Sequence, residues 1–229
     1  MIWLLILLAA SPFAAKVIGL AWFAHNYVAQ SSYKIFQVGG PVWWRRSVEG
    51  RRGLASLWPI DEPWPRPMTW GLAVCLAALS VGAAAFCIPW LAAQLNLDVT
   101  RLRQDIDARF HITPWRAVAV VVFLTAINSG LEELHFRVWL DRELSKRLGN
   151  VAGIVVSAAA FAAMHLFIFA AMPGVAGLAY GLLFVALALI AVVWSLLARR
   201  PGGIHAAWLS HALTDAGLLT WGLFWLGYF

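Results

Sequence analysis

Residues 114–137 read PWRAVAVVVFLTAINSGLEELHFR, an apolar run that ends on the adjacent carboxylates Glu132 and Glu133, with Arg137 following. A membrane-spanning helix needs roughly 20 predominantly apolar residues, and this run supplies them. Carboxylates at membrane depth are costly unless paired or hydrated, so a functional role is their default reading. Adjacent helical residues point ~100° apart, whereas residues four apart share a face. The spacing therefore predicts an ion pair between Glu133 and Arg137. It leaves Glu132 without a local cation, free to aim into the bundle as a general base. The bland alternative is a cytoplasmic helix end at which both glutamates meet water.

Composition sets the class around that stretch. Hydrophobic residues make up 62% of the 229 and charged residues 12%, against roughly 45–50% and ~25% in soluble domains. The chain reads as an integral membrane protein of all-α class, a polytopic bundle of about six spans near 2–29, 68–94, 114–137, 151–172, 175–198 and 203–226. The first has no basic leader, so it reads as a retained helix rather than a cleaved signal peptide. Pro12 and Lys16 interrupt it. Residues 30–67 read as a polar loop carrying Lys34, Arg45, Arg46, Arg51, Arg52 and Arg66, with Trp43, Trp44, Trp58 and Trp64 as interfacial anchors. Residues 95–111 alternate charge with Leu102, Ile106 and Phe110 at helical spacing, the pattern of a short amphipathic helix on the membrane surface.

Basic residues concentrate after the first, third and fifth spans, the last two groups being Arg142, Lys146 and Arg147, then Arg199 and Arg200. The opposite side carries Arg101, Arg103, Arg109 and Arg116. Positive loops favour the cytoplasm, which places both termini outside. The net charge of +6 is this bias together with attraction to anionic lipid; a nucleic-acid partner explains it less well. Cys75 and Cys87 lie twelve residues apart on one apolar segment, ~18 Å along a helix, too far for an intrachain disulfide.

Two further helices carry polar side chains that apolar spans ordinarily lack. His165 sits in AAAFAAMHLF, residues 158–167, with no hydroxyl or amide on its own helix face. Its partner must come from another helix, and the glutamates are the obvious candidates. Phe161, one turn earlier, walls the same face. In the sixth span His211 and Asp215 are four apart and share a face, either as a helix-stabilising pair or as part of a site. His205, about 240° round that helix from His211, belongs to another environment, as does His135. His25 and His111 read as interfacial.

Glu132-Glu133-x-x-x-Arg137, Phe161-x-x-x-His165 and His211-x-x-x-Asp215 match, in order and spacing, the three motifs of the CPBP family, the CAAX prenyl protease and bacteriocin-processing proteins also called ABI proteins. Asn128-Ser129-Gly130-Leu131 and Phe136-Arg137 also look familial. The resemblance covers roughly residues 70–225. It divides the chain into an N-terminal unit, 1–67, of one transmembrane helix plus a basic cytoplasmic loop, and a CPBP-like unit, 68–229. It implies a glutamate-type intramembrane endopeptidase in which Glu132 and His165 activate water, while His211 and the residue at 215 line an oxyanion hole. Glu133, Arg137 and Phe161 would support them. Many relatives carry asparagine where this chain has Asp215. An ionised carboxylate would repel an oxyanion, so Asp215 is either a neutral acid or an orienter of His211. Val138 stands where glycine is common in relatives.

The sequence lacks the HExxH of zincins and the Gly-x-Ser-x-Gly elbow of serine hydrolases, and neither cysteine lies near a site histidine. The reading needs no cofactor. Its metal variant would place zinc on Glu132, His165 and His211 with an open position. A different class of reading is a catalytically silent immunity or binding protein on the same scaffold. The expected partners are the bilayer and a peptide or protein substrate within it, at the cytoplasmic side of the plasma membrane.

Overall fold

The computed structural model describes residues 2–22, 33–50, 63–94, 98–170 and 177–228. Among these residues there are eight helices and no strand: α1 (Ile2–Trp22), α2 (Tyr33–Ser47), α3 (Pro67–Gln94), α4 (Val99–Phe110), α5 (Pro114–Leu148), α6 (Asn150–Ala170), α7 (Gly177–Ala198) and α8 (Gly203–Trp225). The fold is an all-α membrane helix bundle. Pro67–Gln94, Pro114–Leu148 and Ala179–Ala198 are long and apolar enough to cross a membrane, and shorter apolar stretches lie at Trp3–Lys16 and Asn150–Leu166. Helix α8, expected as the sixth span, is not among them; it carries His205, His211, Thr214 and Asp215. His25, Arg51, Arg52 and Trp58 lie outside the described residues, as do the last residues of the first and fourth expected spans and the first residues of the fifth.

Local chemistry explains where the elements start and stop. Asp98 caps α4 by accepting from the main-chain N–H of Arg101 at 3.0 Å. Helix α4 then ends on His111 in the left-handed region, φ 46°. Thr113 caps α5 with Pro114 in the first turn, where a missing N–H costs nothing. The chain turns from α5 into α6 at Gly149, φ 83°, a conformation that glycine adopts without strain. Gly202, φ 67°, opens α8 with its backbone packed against Pro63, so that a Cβ there would collide with the Pro63 carbonyl.

Helix α5 organises the bundle. The sequence places its end near Arg137, but the helix continues to Leu148 through two π-helical segments, Phe123–Asn128 and Leu134–Asp141. Glu132 and Glu133 fall on the turn between them, in mid-helix and fully buried. The alternative of a water-facing helix end does not hold: neighbouring helices cover both carboxylates. The first half of α5 packs on α8, and the second half on α6 and α2.

The expected loop 30–67 also needs correction. Its residues 33–47 form α2, which packs on α1 and on the second half of α5. Trp44 is buried edge-on against Trp139, rings 6.3 Å apart, instead of lying at the interface; Trp43 and Trp64 remain exposed. Arg45 is likewise buried and donates to the Val138 carbonyl at 3.3 Å. Neither Pro12 nor Lys16 breaks α1. Lys16, buried, satisfies its ammonium partly on the Met164 carbonyl of α6 at 3.0 Å.

Candidate active site

Four helices converge on Glu132. Helix α5 carries Asn128, Glu132, Glu133 and Arg137; α6 carries Phe161 and His165; α8 carries His211 and Asp215; α2 carries Lys34. The sequence-predicted residues all meet here. Glu132 Oε2 lies 3.5 Å from Nε2 of His165 and 3.6 Å from Nε2 of His211, and the latter atom lies 3.6 Å from Asp215 Oδ2. These separations are longer than direct hydrogen bonds, and Glu132 Oε2 has no hydrogen-bond partner among the described residues.

The other oxygen of Glu132 is occupied. Oε1 accepts from Asn128 Nδ2 at 2.9 Å and from Lys34 Nζ at 3.1 Å. Glu132 has no cation on its own helix, as the spacing predicts, but it is not without one. Its cation comes from α2, far outside the local helix on which a partner was sought.

Each imidazole is held by its Nδ1. In His165 that atom lies 2.8 Å from the Phe161 carbonyl, one turn back on α6. A carbonyl can only accept, so Nδ1 carries the proton and Nε2 of the neutral ring is left as an acceptor facing Glu132. The sequence reading sought a partner only among side chains and missed this main-chain one. In His211, Nδ1 lies 2.9 Å from Glu133 Oε1. Glu133 is therefore the group that orients His211, while Asp215 approaches the opposite nitrogen. The predicted Glu133–Arg137 pair is present at 3.3 Å, both side chains buried.

Aromatic rings seal the inner wall. Phe161, fully buried, packs against His165 at 4.3 Å, Phe136 at 5.2 Å and His211 at 5.6 Å between centroids. Trp194 of α7 stacks on His211 at 4.1 Å, and its indole N–H donates to Ser210 Oγ at 3.1 Å. The Arg137 guanidinium lies over Phe161 at 4.5 Å and Trp194 at 5.3 Å, so rings supply much of the environment of this buried cation. The site is less enclosed on the side of His165 and Asp215. The side chains of Glu132 and His211 are 1–2% exposed, whereas those of His165 and Asp215 retain 20% and 25%.

Sequence reasoning missed Lys34, Trp194 and the Glu133–His211 contact. Of these, Trp194 carried the clearest signal, as a lone indole in an apolar helix facing the motif helices. The other described histidines lie elsewhere, as expected. His135 Nδ1 faces the Gln37 carbonyl at 2.9 Å, His205 stacks on Trp64 at 5.2 Å, and His111 is exposed. Cys75 and Cys87 are free and exposed. Among the described residues no three His, Cys, Asp or Glu side chains are arranged to hold a metal ion.

A helical membrane protein with carboxylates and imidazoles buried between its spans is the class that fold and site define. Residues 114–217 match the family model described as type II CAAX prenyl endopeptidase Rce1-like. Over that stretch the chain is similar to this family of CAAX-type proteases, in agreement with the CPBP resemblance of its three motifs. No curated protein and no solved structure matches the chain.

Proposed function

We propose that this protein is an intramembrane endopeptidase that hydrolyses a peptide bond near the C-terminus of a membrane-associated or lipidated substrate. One observation carries the reading. Glu132 Oε2 and His165 Nε2, both acceptors when the imidazole is neutral, face each other at 3.5 Å, while Oε1 and Nδ1 are already bonded. Two lone pairs so placed are satisfied by a molecule that donates twice, and water is the donor that peptide hydrolysis requires.

In the proposed reaction the water oxygen attacks the scissile carbonyl carbon and one of its protons passes to Glu132 Oε2. The carbonyl oxygen becomes an oxyanion, which His211 stabilises by donating from Nε2. His211 is doubly protonated in this role, and Glu133 at Nδ1 supports that charge as the buried aspartate does in serine-protease triads. Asp215, across from the same nitrogen, contributes as a neutral acid, because a second carboxylate charge there would repel the oxyanion. The C–N bond then breaks as Glu132 returns its proton to the leaving amine. The second proton of the water leaves the new carboxyl group for the amine, so the products are a carboxylate and an ammonium, and the step needs no metal.

The site is proposed to open to the cytoplasmic side of the plasma membrane, a placement supported by the distribution of loop lysines and arginines. The test is a comparison of C-terminal protein fragments between cells carrying the wild-type chain and cells carrying Glu132→Gln. A defined set of tails shed only by the wild type is the expected result. An identical fragment pool, alongside binding of a membrane partner, would replace the protease with the silent immunity or binding protein.

A further inference from the structure

We propose that Lys34 is a positioning residue for Glu132, so that the N-terminal helices, outside the matched domain, complete the site. The inference rests on the protease reading for its catalytic meaning and on geometry for the contact itself.

A carboxylate has two chemically equivalent oxygens, and its terminal torsion is broad and nearly two-fold. Unless one oxygen is tied, either can turn toward the imidazoles. Here Oε1 receives two donors, Asn128 from one turn back and Lys34 from α2, at 2.9 and 3.1 Å. That leaves Oε2 alone opposite both Nε2 atoms. Asn128 lies on the same helix and moves with Glu132. Lys34 is the external reference.

A lysine is a poor fixed point by default, because its long flexible stem loses rotamer freedom when held. This one is restrained at several places. Its ammonium also donates to Gln37 Oε1 at 2.8 Å and sits over the Tyr33 ring at 4.5 Å. Gln37 in turn takes the Nδ1–H of His135 on its main-chain oxygen, and Arg45 reaches the Val138 carbonyl. Helix α2 is thereby registered against the segment of α5 that follows the glutamates, and the start of the lysine stem is fixed relative to Glu132. The expected division at residue 67 thus cuts through one catalytic assembly.

The test uses the full chain in phosphatidylcholine vesicles, as wild type, Lys34→Met and Lys34→Arg. The infrared carboxylate band of Glu132, assigned by its loss in Glu132→Gln, reads the contact without substrate. With a substrate found by the fragment comparison, Lys34→Met is expected to lower kcat about 10–100-fold, in line with a small displacement of a catalytic group. KM should stay within about twofold, and Lys34→Arg should recover most of kcat. The Glu132 band should shift in Lys34→Met and stay near its wild-type position in Lys34→Arg. An unmoved band with unchanged kcat in Lys34→Met overturns the proposal. So does a kcat loss that tracks lowered thermal stability and is not rescued by arginine. A shifted band in a wild-type background that cuts nothing upholds the hold on Glu132 and overturns the protease reading instead.

Discussion

Glu133 Oε1 lies 2.9 Å from Nδ1 of His211 and 3.3 Å from Nη1 of Arg137, so one buried oxygen joins an imidazole on α8 to a guanidinium on α5. The glutamate next to the proposed base thus orients the proposed oxyanion donor, and the two adjacent carboxylates address opposite nitrogens of one ring.

Glu132→Gln keeps the shape and both Oε1 donors' surroundings but removes the base. Peptide cleavage by the purified variant is expected to fall at least about 100-fold, with only a modest drop in its detergent melting temperature, because the Lys34 ammonium loses its carboxylate but keeps Gln37 Oε1. Wild-type turnover would sink the glutamate-base mechanism.

Glu133→Gln and Arg137→Ala should cost more stability, because each strands a charge that is fully buried, whereas Lys34 is partly exposed. Both are expected to lose about 3–5 kcal/mol of stability, as when one partner of a buried pair is removed, together with activity. Thermal unfolding followed by tryptophan fluorescence checks this, and a fully stable but inactive Arg137→Ala would contradict it.

Metal independence has a direct check. Exhaustively chelated protein should retain its activity, and elemental analysis should find no stoichiometric zinc. One tightly held zinc per chain, with activity restored only on its return, would establish the version ligated by Glu132, His165 and His211.

Asp215→Asn separates the two roles left open for that residue. A neutral acid donates only while protonated, whereas an amide donates at any pH. The variant is therefore expected to keep activity within about tenfold of wild type and to hold it at alkaline pH where the wild type declines. A uniform loss from acidic to alkaline pH would show that the carboxylate charge is needed.

Much of the site was legible because its motifs use spacings of four, which a helix converts into shared faces. Glu133 beside Arg137 and His211 beside Asp215 follow from that rule alone. Convergence of Glu132 with His165 followed from the absence of side-chain partners on α6. The Glu133–His211 contact did not follow, because adjacent residues diverge by ~100°. An imidazole presents nitrogens on two sides, so two diverging carboxylates can flank it. The extent of α5 was hidden for a related reason. Its two π-helical segments break the 3.6 period on which face assignments depend. Lys34 was invisible on other grounds: 98 residues separate it from Glu132, and a stretch rich in arginine and tryptophan resembles an interfacial loop until α2 is seen packed on α5.

The order of these charges along the chain is also an order of arrival during synthesis. Lys34 leaves the ribosome 98 residues before Glu132, and His211 follows Glu133 by 78. Helix α5 therefore enters the lipid with Glu133 already beside Arg137 and with a lysine waiting for Glu132, so neither carboxylate need face hydrocarbon alone. The imidazole of His211 emerges 78 residues after Glu133, so over that interval the nascent protein holds the α5 charge pair without the ring and Asp215 that complete the site.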